Sequence, residues 1–175
     1  FGPGFAGLRS ALPGGPKPSS VLCERRSAMA SFGQIAAAVC FAASVMTLVV
    51  GFVHAWQSVT GLHLYFSHCD FFGRVCNGAW RSFFTFKPND FVDLWTPTVF
   101  GFLGVGLHCR FMSYKVVGDY MTYCVFMVVT ALFANVGYTG QFGVITAAVS
   151  TVGAILCLAA RLLGESGIAL LDLGR

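Results

Sequence analysis

The fold this sequence predicts is an all-α integral membrane bundle of four transmembrane helices with an amphipathic loop between the first two. Three observations predict it. The chain is 56% hydrophobic and only 10% charged over 175 residues, its mean hydropathy is +0.73, and its apolar residues fall in long blocks rather than narrow helical stripes. The 18 Phe and 21 Gly suit helices that face lipid and pack closely. These features argue against a soluble enzyme.

A bilayer core about 30 Å thick takes roughly 20 residues per helix, and four blocks meet that length. The first spans residues 32–56, with Gln34, Ser44, Thr47 and His54 as its polar interruptions. A second covers 91–109, entered through "DFVDLWTPT" and closed by "HCRF". Residues 120–138 form the third, and 142–163 the fourth. Only "TGQ" separates the last two, which predicts an antiparallel hairpin. The intervening segment Gln57 to Asp90 carries His63, His68, Asp70, Arg74, Arg81 and Lys87 among many aromatics. It reads as a loop with amphipathic helices at the interface, around "CDFFGRVCNGAWRSFFTF". The remaining divisions are an N-terminal segment, 1–30, and a tail, 166–175, around a membrane domain at 31–165.

Orientation follows from the cations. With the N-terminus inside, Arg9, Lys17, Arg25, Arg26, Arg110, Lys115, Arg161 and Arg175 lie inside, against Arg74, Arg81 and Lys87 outside. Eight of the 11 cations thus fall on one side, as the positive-inside rule requires. The long loop then faces a lumen, and the net charge of +4 is a topology signal rather than a nucleic-acid footprint. Small residues mark expected helix contacts: Gly33 with Ala37 and Ala38 with Ala42 on the first helix, Gly101, Gly104 and Gly106 on the second, and Gly143, Ala147 and Thr151 on the fourth.

Catalytic constellations are missing from the sequence. Every acidic residue lies at or outside a span end, so no carboxylate pair or proton relay crosses the bilayer. "GFLGVG" lies within a hydrophobic span and reads as packing glycine rather than a phosphate cradle. Pro97 and Asn135 alone are too little for a transporter's broken helices. A non-catalytic protein is expected.

The candidate ligand residues are His54, His63 and His108, each close to a span end. A neutral imidazole there can serve as axial ligand to a chlorophyll magnesium or a haem iron; the alternative is an ordinary hydrogen bond at headgroup depth. Phe52, Trp56, Tyr65 and Phe66 flank the first pair, and Phe102 and Phe111 the third, offering flat apolar surface to a macrocycle. Cys69 and Cys76 are the pair whose loop location permits a disulfide, the alternative being free thiols. "HCDFFGRVC" lacks the fourth ligand of a zinc site, so no protein-held metal is expected.

Two resemblances add to this reading. Residues 1–30 hold four of the six prolines, five glycines, four cations and one acid, an acid-poor bias found in organelle transit segments. With Phe1 at the start and "RRSAMA" before the first span, the segment resembles the leaders of plastid proteins in algae whose plastids descend from a red-alga endosymbiont. The resemblance implies an accessory subunit of a thylakoid photosystem, photosystem I favoured, holding chlorophyll and carotenoid. Its partners would be other subunits of a large membrane complex, light-harvesting antenna proteins and lipid, with no nucleic acid. Alternatively "MASFGQ" at Met29 is the natural start. The hairpin "VVGDYMTYCVFMVVTALFANVGYTGQFGVITAAVSTVGAILC" and the "CRFMSYK" before it resemble the small four-helix membrane proteins of the coatomer-associated Golgi family. That resemblance implies a role in vesicle traffic at the Golgi membrane. A supernumerary subunit of a mitochondrial respiratory complex shares the transit-like leader.

Overall fold

The computed structural model describes residues 19–61, 84, 90–108 and 119–164, with side chains from residue 32 and, in the second helix, from residue 92. Among the described residues the chain is all-helical. Helix α1 is Ser19–Thr60, α2 is Asp90–Leu107, α3 is Tyr120–Val129 running on into a π-helical segment Thr130–Asn135, and α4 is Gln141–Leu162. Two of these, over Phe32–Thr60 and Gln141–Leu162, are long and apolar enough to cross a membrane; the apolar parts of α2 and α3, Val92–Leu107 and Tyr120–Asn135, are shorter.

The sequence explains the ends. Helix α1 starts directly after Pro18, at two serines of the type that favour helix starts, so it reaches well into the segment expected to be an extended arm. It closes at Gly61, whose positive φ of 68° lets its N–H return to the Gln57 carbonyl at 2.9 Å. Residues 57–60, expected to open the interfacial loop, are therefore helical. Helix α2 ends one residue before His108, whose N–H bonds the Val105 carbonyl. Helix α3 stops at Asn135 rather than at 138, because Gly137, Thr139 and Gly140 all take positive φ. The expected hairpin is present, turning over residues 136–140.

Contacts between helices fix an antiparallel register. Cβ atoms placed on Gly51 and Gly101 would lie 2.5 Å from backbone atoms of Thr98 and Leu48, and one on Gly104 would lie 2.5 Å from Ser44 Oγ. Helices α1 and α2 thus pass backbone to backbone, which the expected glycines of α2 make possible. Helix α4 runs against α1 through Cys157 and Cys40 and against α3 through Gly153 and Met127. Up, down, up, down, the four helices enclose a core of Cys40, Ala43, Tyr120, Tyr123, Met127, Ala154, Cys157 and Ala160.

Around Tyr123 and Met127, small and hydroxylated side chains line the interior faces of α1 and α4: Ala36, Ala37, Ser44, Thr47, Thr146, Ala147, Ser150 and Ala154 are all buried. Large apolar ones point out, among them Ile35, Val49, Phe52, Trp56, Phe102, Val125, Ile155 and Leu162. Of the expected small-residue rows, Gly33 with Ala37, the α2 glycines, and Gly143 with Ala147 are buried, whereas Ala38, Ala42 and Thr151 face outward. The charged side chains described are Asp93, Asp119 and Arg161, all near helix ends. Asp119 and Arg161 approach to 3.7 Å with about half of each side chain exposed, 47% and 51%; such a pair is worth at most about 1 kcal/mol.

Candidate functional site

Three polar clusters interrupt the apolar bundle: one central and one at each end. The central one is built on Asn135, the last residue of the π-helical segment and fully buried at 0% exposure. Its Nδ2 donates to Thr47 Oγ1 of α1 and to Ser150 Oγ of α4, both at 3.1 Å. The hydroxyl protons are already committed, since Thr47 donates to the Ala43 carbonyl and Ser150 to the Thr146 carbonyl, each at 2.9 Å. Only their lone pairs remain, which requires the amide N–H₂ to face them. Asn135 Oδ1 then points elsewhere, and it finds no donor among the described residues. π turns occur frequently at functional sites, and a buried polar residue between bilayer helices is a functional candidate in its own right.

At the end where α1 closes and α2 begins, His54 and Tyr138 meet edge to face, with ring centroids 5.0 Å apart and planes at 81°. The Tyr138 hydroxyl donates to Asp93 Oδ1 at 2.9 Å. Tyr138 belongs to the positive-φ turn between α3 and α4, so the turn geometry itself delivers this ring to His54.

The opposite end gathers His108, Tyr123 and an aromatic wall. His108, 4% exposed, shares a 2.7 Å hydrogen bond between Nε2 and Tyr123 Oη. Its ring stands edge-on to Phe41 at 5.4 Å and to Tyr123 at 5.6 Å. Tyr123 stacks on Phe126, and Phe126 on Phe100. His108 Nδ1 is buried without a partner among the described residues. Whichever tautomer holds, one side of the imidazole is left with an unused proton or lone pair, costing about 1–3 kcal/mol. Beside this wall, Cys40 and Cys157 approach sulfur to sulfur at 3.5 Å.

Two of the three expected ligand histidines are thus located, and the fold keeps them apart. His108 lies level with Phe41, and from Phe41 to His54 the rise along α1 is roughly 20 Å, most of a bilayer core. They form separate sites at opposite ends. His63, Cys69 and Cys76 lie outside the described residues. Among the described residues no group of three His, Cys, Asp or Glu side chains comes together as a metal site. Sequence reasoning passed over Asn135, Tyr123 and Tyr138. Three polar residues, Thr47, Asn135 and Ser150, one in each of three apolar blocks, were the available signal for the central cluster.

No protein-family model, curated protein or solved structure matches this chain.

Proposed function

We propose that the chain is a four-span integral membrane protein acting as a non-catalytic accessory subunit of a thylakoid photosystem assembly, photosystem I favoured, between core and antenna. One observation carries the membrane part. Large apolar side chains face outward on all four helices, while small residues and buried hydroxyls line much of the interior around Tyr123, Met127 and Tyr138, a distribution that is stable against lipid or neighbouring spans and unfavourable in water. Helices α2 and α3 are short in their apolar parts, so in this reading they cross where the bilayer thins or where partners cover their ends. Support for the plastid part comes from the composition of residues 1–30 and stands apart from the bundle.

Outward-facing aromatics supply surfaces for pigment: Phe52 and Trp56 one turn apart on α1, and Trp95 and Phe102 two turns apart on α2. Of the two located histidines, His54, half-buried, is the one whose ring a pigment could approach; His108, 4% exposed and with Nδ1 enclosed, does not admit a macrocycle. A bound chlorophyll would supply light absorption; His54 would hold its position and Tyr138, edge-on to the imidazole, would orient the ring.

The test is the absorption spectrum of the native assembly isolated through this chain. Chlorophyll bands are expected. Haem bands without chlorophyll would move the chain to a respiratory complex. A colourless preparation would favour the second reading, a vesicle-traffic protein of coatomer-associated type, which the α3–α4 hairpin supports.

A further inference from the structure

One close pair of thiols in the bundle is used neither by pigment binding nor by any polar network. Cys40 on α1 and Cys157 on α4 are free thiols, both 0% exposed, with Sγ atoms 3.5 Å apart. They sit where the two helices are kept close by small residues, Ala43 on one side and Gly153 and Ala154 on the other. We propose that Cys40 and Cys157 are a reversible disulfide site that covalently ties α1 to α4 when hydrogen peroxide reaches the bundle. This inference stands independently of the photosystem reading.

Bond formation needs the sulfurs to close from 3.5 Å to about 2.05 Å. The surroundings allow it. A Cβ on Gly153 would lie 3.0 Å from Cys40 Sγ and 3.3 Å from Met127 Cε, so the glycine leaves the space through which Cys40 Sγ can move. Met127 on the far side is flexible and able to follow. Access is short as well. Arg161 follows Cys157 by one helical turn, placing the pair about 6 Å inside the polar edge that Asp119 and Arg161 mark. Hydrogen peroxide is neutral and water-sized, and can cover that depth.

The chemistry balances with peroxide as oxidant. One thiol loses its proton, and its sulfur attacks the O–O bond, giving a sulfenic acid and one water. The second sulfur then displaces the hydroxyl of the sulfenic acid, and its proton leaves with that hydroxyl as a second water. Two thiols and one peroxide thus yield one disulfide and two waters. The sulfurs give up two electrons and the peroxide oxygens take them. A dithiol reductant reverses the bond by exchange.

The experiment uses the full chain, folded in detergent, exposed to hydrogen peroxide, then denatured in the presence of a maleimide and mapped by mass spectrometry. A peptide containing Cys40 joined to one containing Cys157 is expected in more than half of the chains, about 2 Da lighter than the two separate thiol peptides and lost on dithiothreitol treatment. On a non-reducing gel the oxidised chain should run faster, because the bond closes a loop between positions 117 residues apart. Cys124→Ser, at a half-buried thiol packed against the same core, should leave the crosslink intact, whereas Cys40→Ala should abolish it and leave Cys157 alkylated. Full alkylation of both Cys40 and Cys157 in the oxidised wild-type chain, or their pairing with other cysteines instead, would overturn the proposal. The wild-type map decides even if a variant fails to fold.

Discussion

Replacing Gly143 by alanine should destabilise the bundle, although helix propensity alone says the reverse. Gly143 lies in the first turn of α4, where Ala is favoured over Gly by about 1 kcal/mol. The added methyl has nowhere to go. It would collide with the Tyr138 carbonyl oxygen of the preceding turn and lie 2.5 Å from the carbonyl oxygen of Asn135, the last residue of α3. That turn is held by Gly137, Thr139 and Gly140 at positive φ, so it cannot retreat without losing its own conformation. Overpacking of this kind costs about 3 kcal/mol, the upper part of the usual range. After the gain in propensity the net loss is about 2 kcal/mol, roughly a 30-fold shift in the folding equilibrium. Ala148→Gly, at an exposed position of the same helix, supplies the comparison: it should lose only the propensity difference of about 1 kcal/mol. Reversible unfolding of the purified chain in mixed micelles measures both. If Gly143→Ala proves as stable as the wild type or more so, the close approach of the turn to α4 is wrong.

The central cluster, the Tyr138 cluster and the topology each give a further expected outcome. Asn135→Asp should lose about 3 kcal/mol, since an acceptor would replace the amide donor that Thr47 and Ser150 require; the same micelle unfolding reads it, and wild-type stability would show that the network is not formed. Tyr138→Phe keeps the ring against His54 and removes the bond to Asp93, so a loss of about 2 kcal/mol is expected for a bond to a carboxylate; wild-type stability would show that the bond is not formed. In sealed vesicles, membrane-impermeant maleimide should reach Cys69 from the side opposite to Arg110 and the termini. Labelling of Cys69 from that same side sinks the four-span arrangement. N-terminal sequencing of a cleaved mature chain should begin near Ala30 or Ser31, leaving about 30 residues of α1, roughly 45 Å, still enough to span. Recovery of a peptide covering Phe1 to Arg9 would instead show that the segment is retained.

Much of this architecture was legible in the sequence. Helices at the four apolar blocks, the hairpin between the last two and the close-packed α2 glycines are present, because long apolar runs and small-residue spacing are local features of the sequence; among the described residues two of the four helices are long and apolar enough to cross a membrane. The ends of the helices were less legible. Tyr138 reads as part of a span because it is apolar, yet it lies in a turn whose course is dictated by three residues at positive φ, two of them glycines. A hydropathy window registers glycine as near neutral and is blind to its φ.

The site residues were legible in type but not in pairing, and the reason lies in how this bundle distributes polarity. In a soluble helix, polar residues mark the outside, so an apolar stripe reveals the buried face. Here the outside is Phe52, Val125 and Ile155, and the inside is Ser44, Thr47, Asn135 and Ser150. Neither face stands out by hydropathy, because Ser, Thr, Ala and Gly are all near neutral; the hydroxyls are tolerated inside because they donate to the carbonyl four residues earlier. On α1 and α4 what distinguishes the faces is size, small within and large without, and size rows alone left two solutions on α1: Gly33 with Ala37 and Ala38 with Ala42. The polar residues break the tie. Ser44 and Thr47 lie seven and ten positions after Ala37, two and nearly three helical turns, on the Gly33–Ala37 face. Joining the hydroxyl positions to the small-residue row therefore selects the face that is in fact buried. The same construction on α4 joins Gly143 and Ala147 to Thr146 and Ser150, and it brings Ser150 and Thr47 together on either side of Asn135.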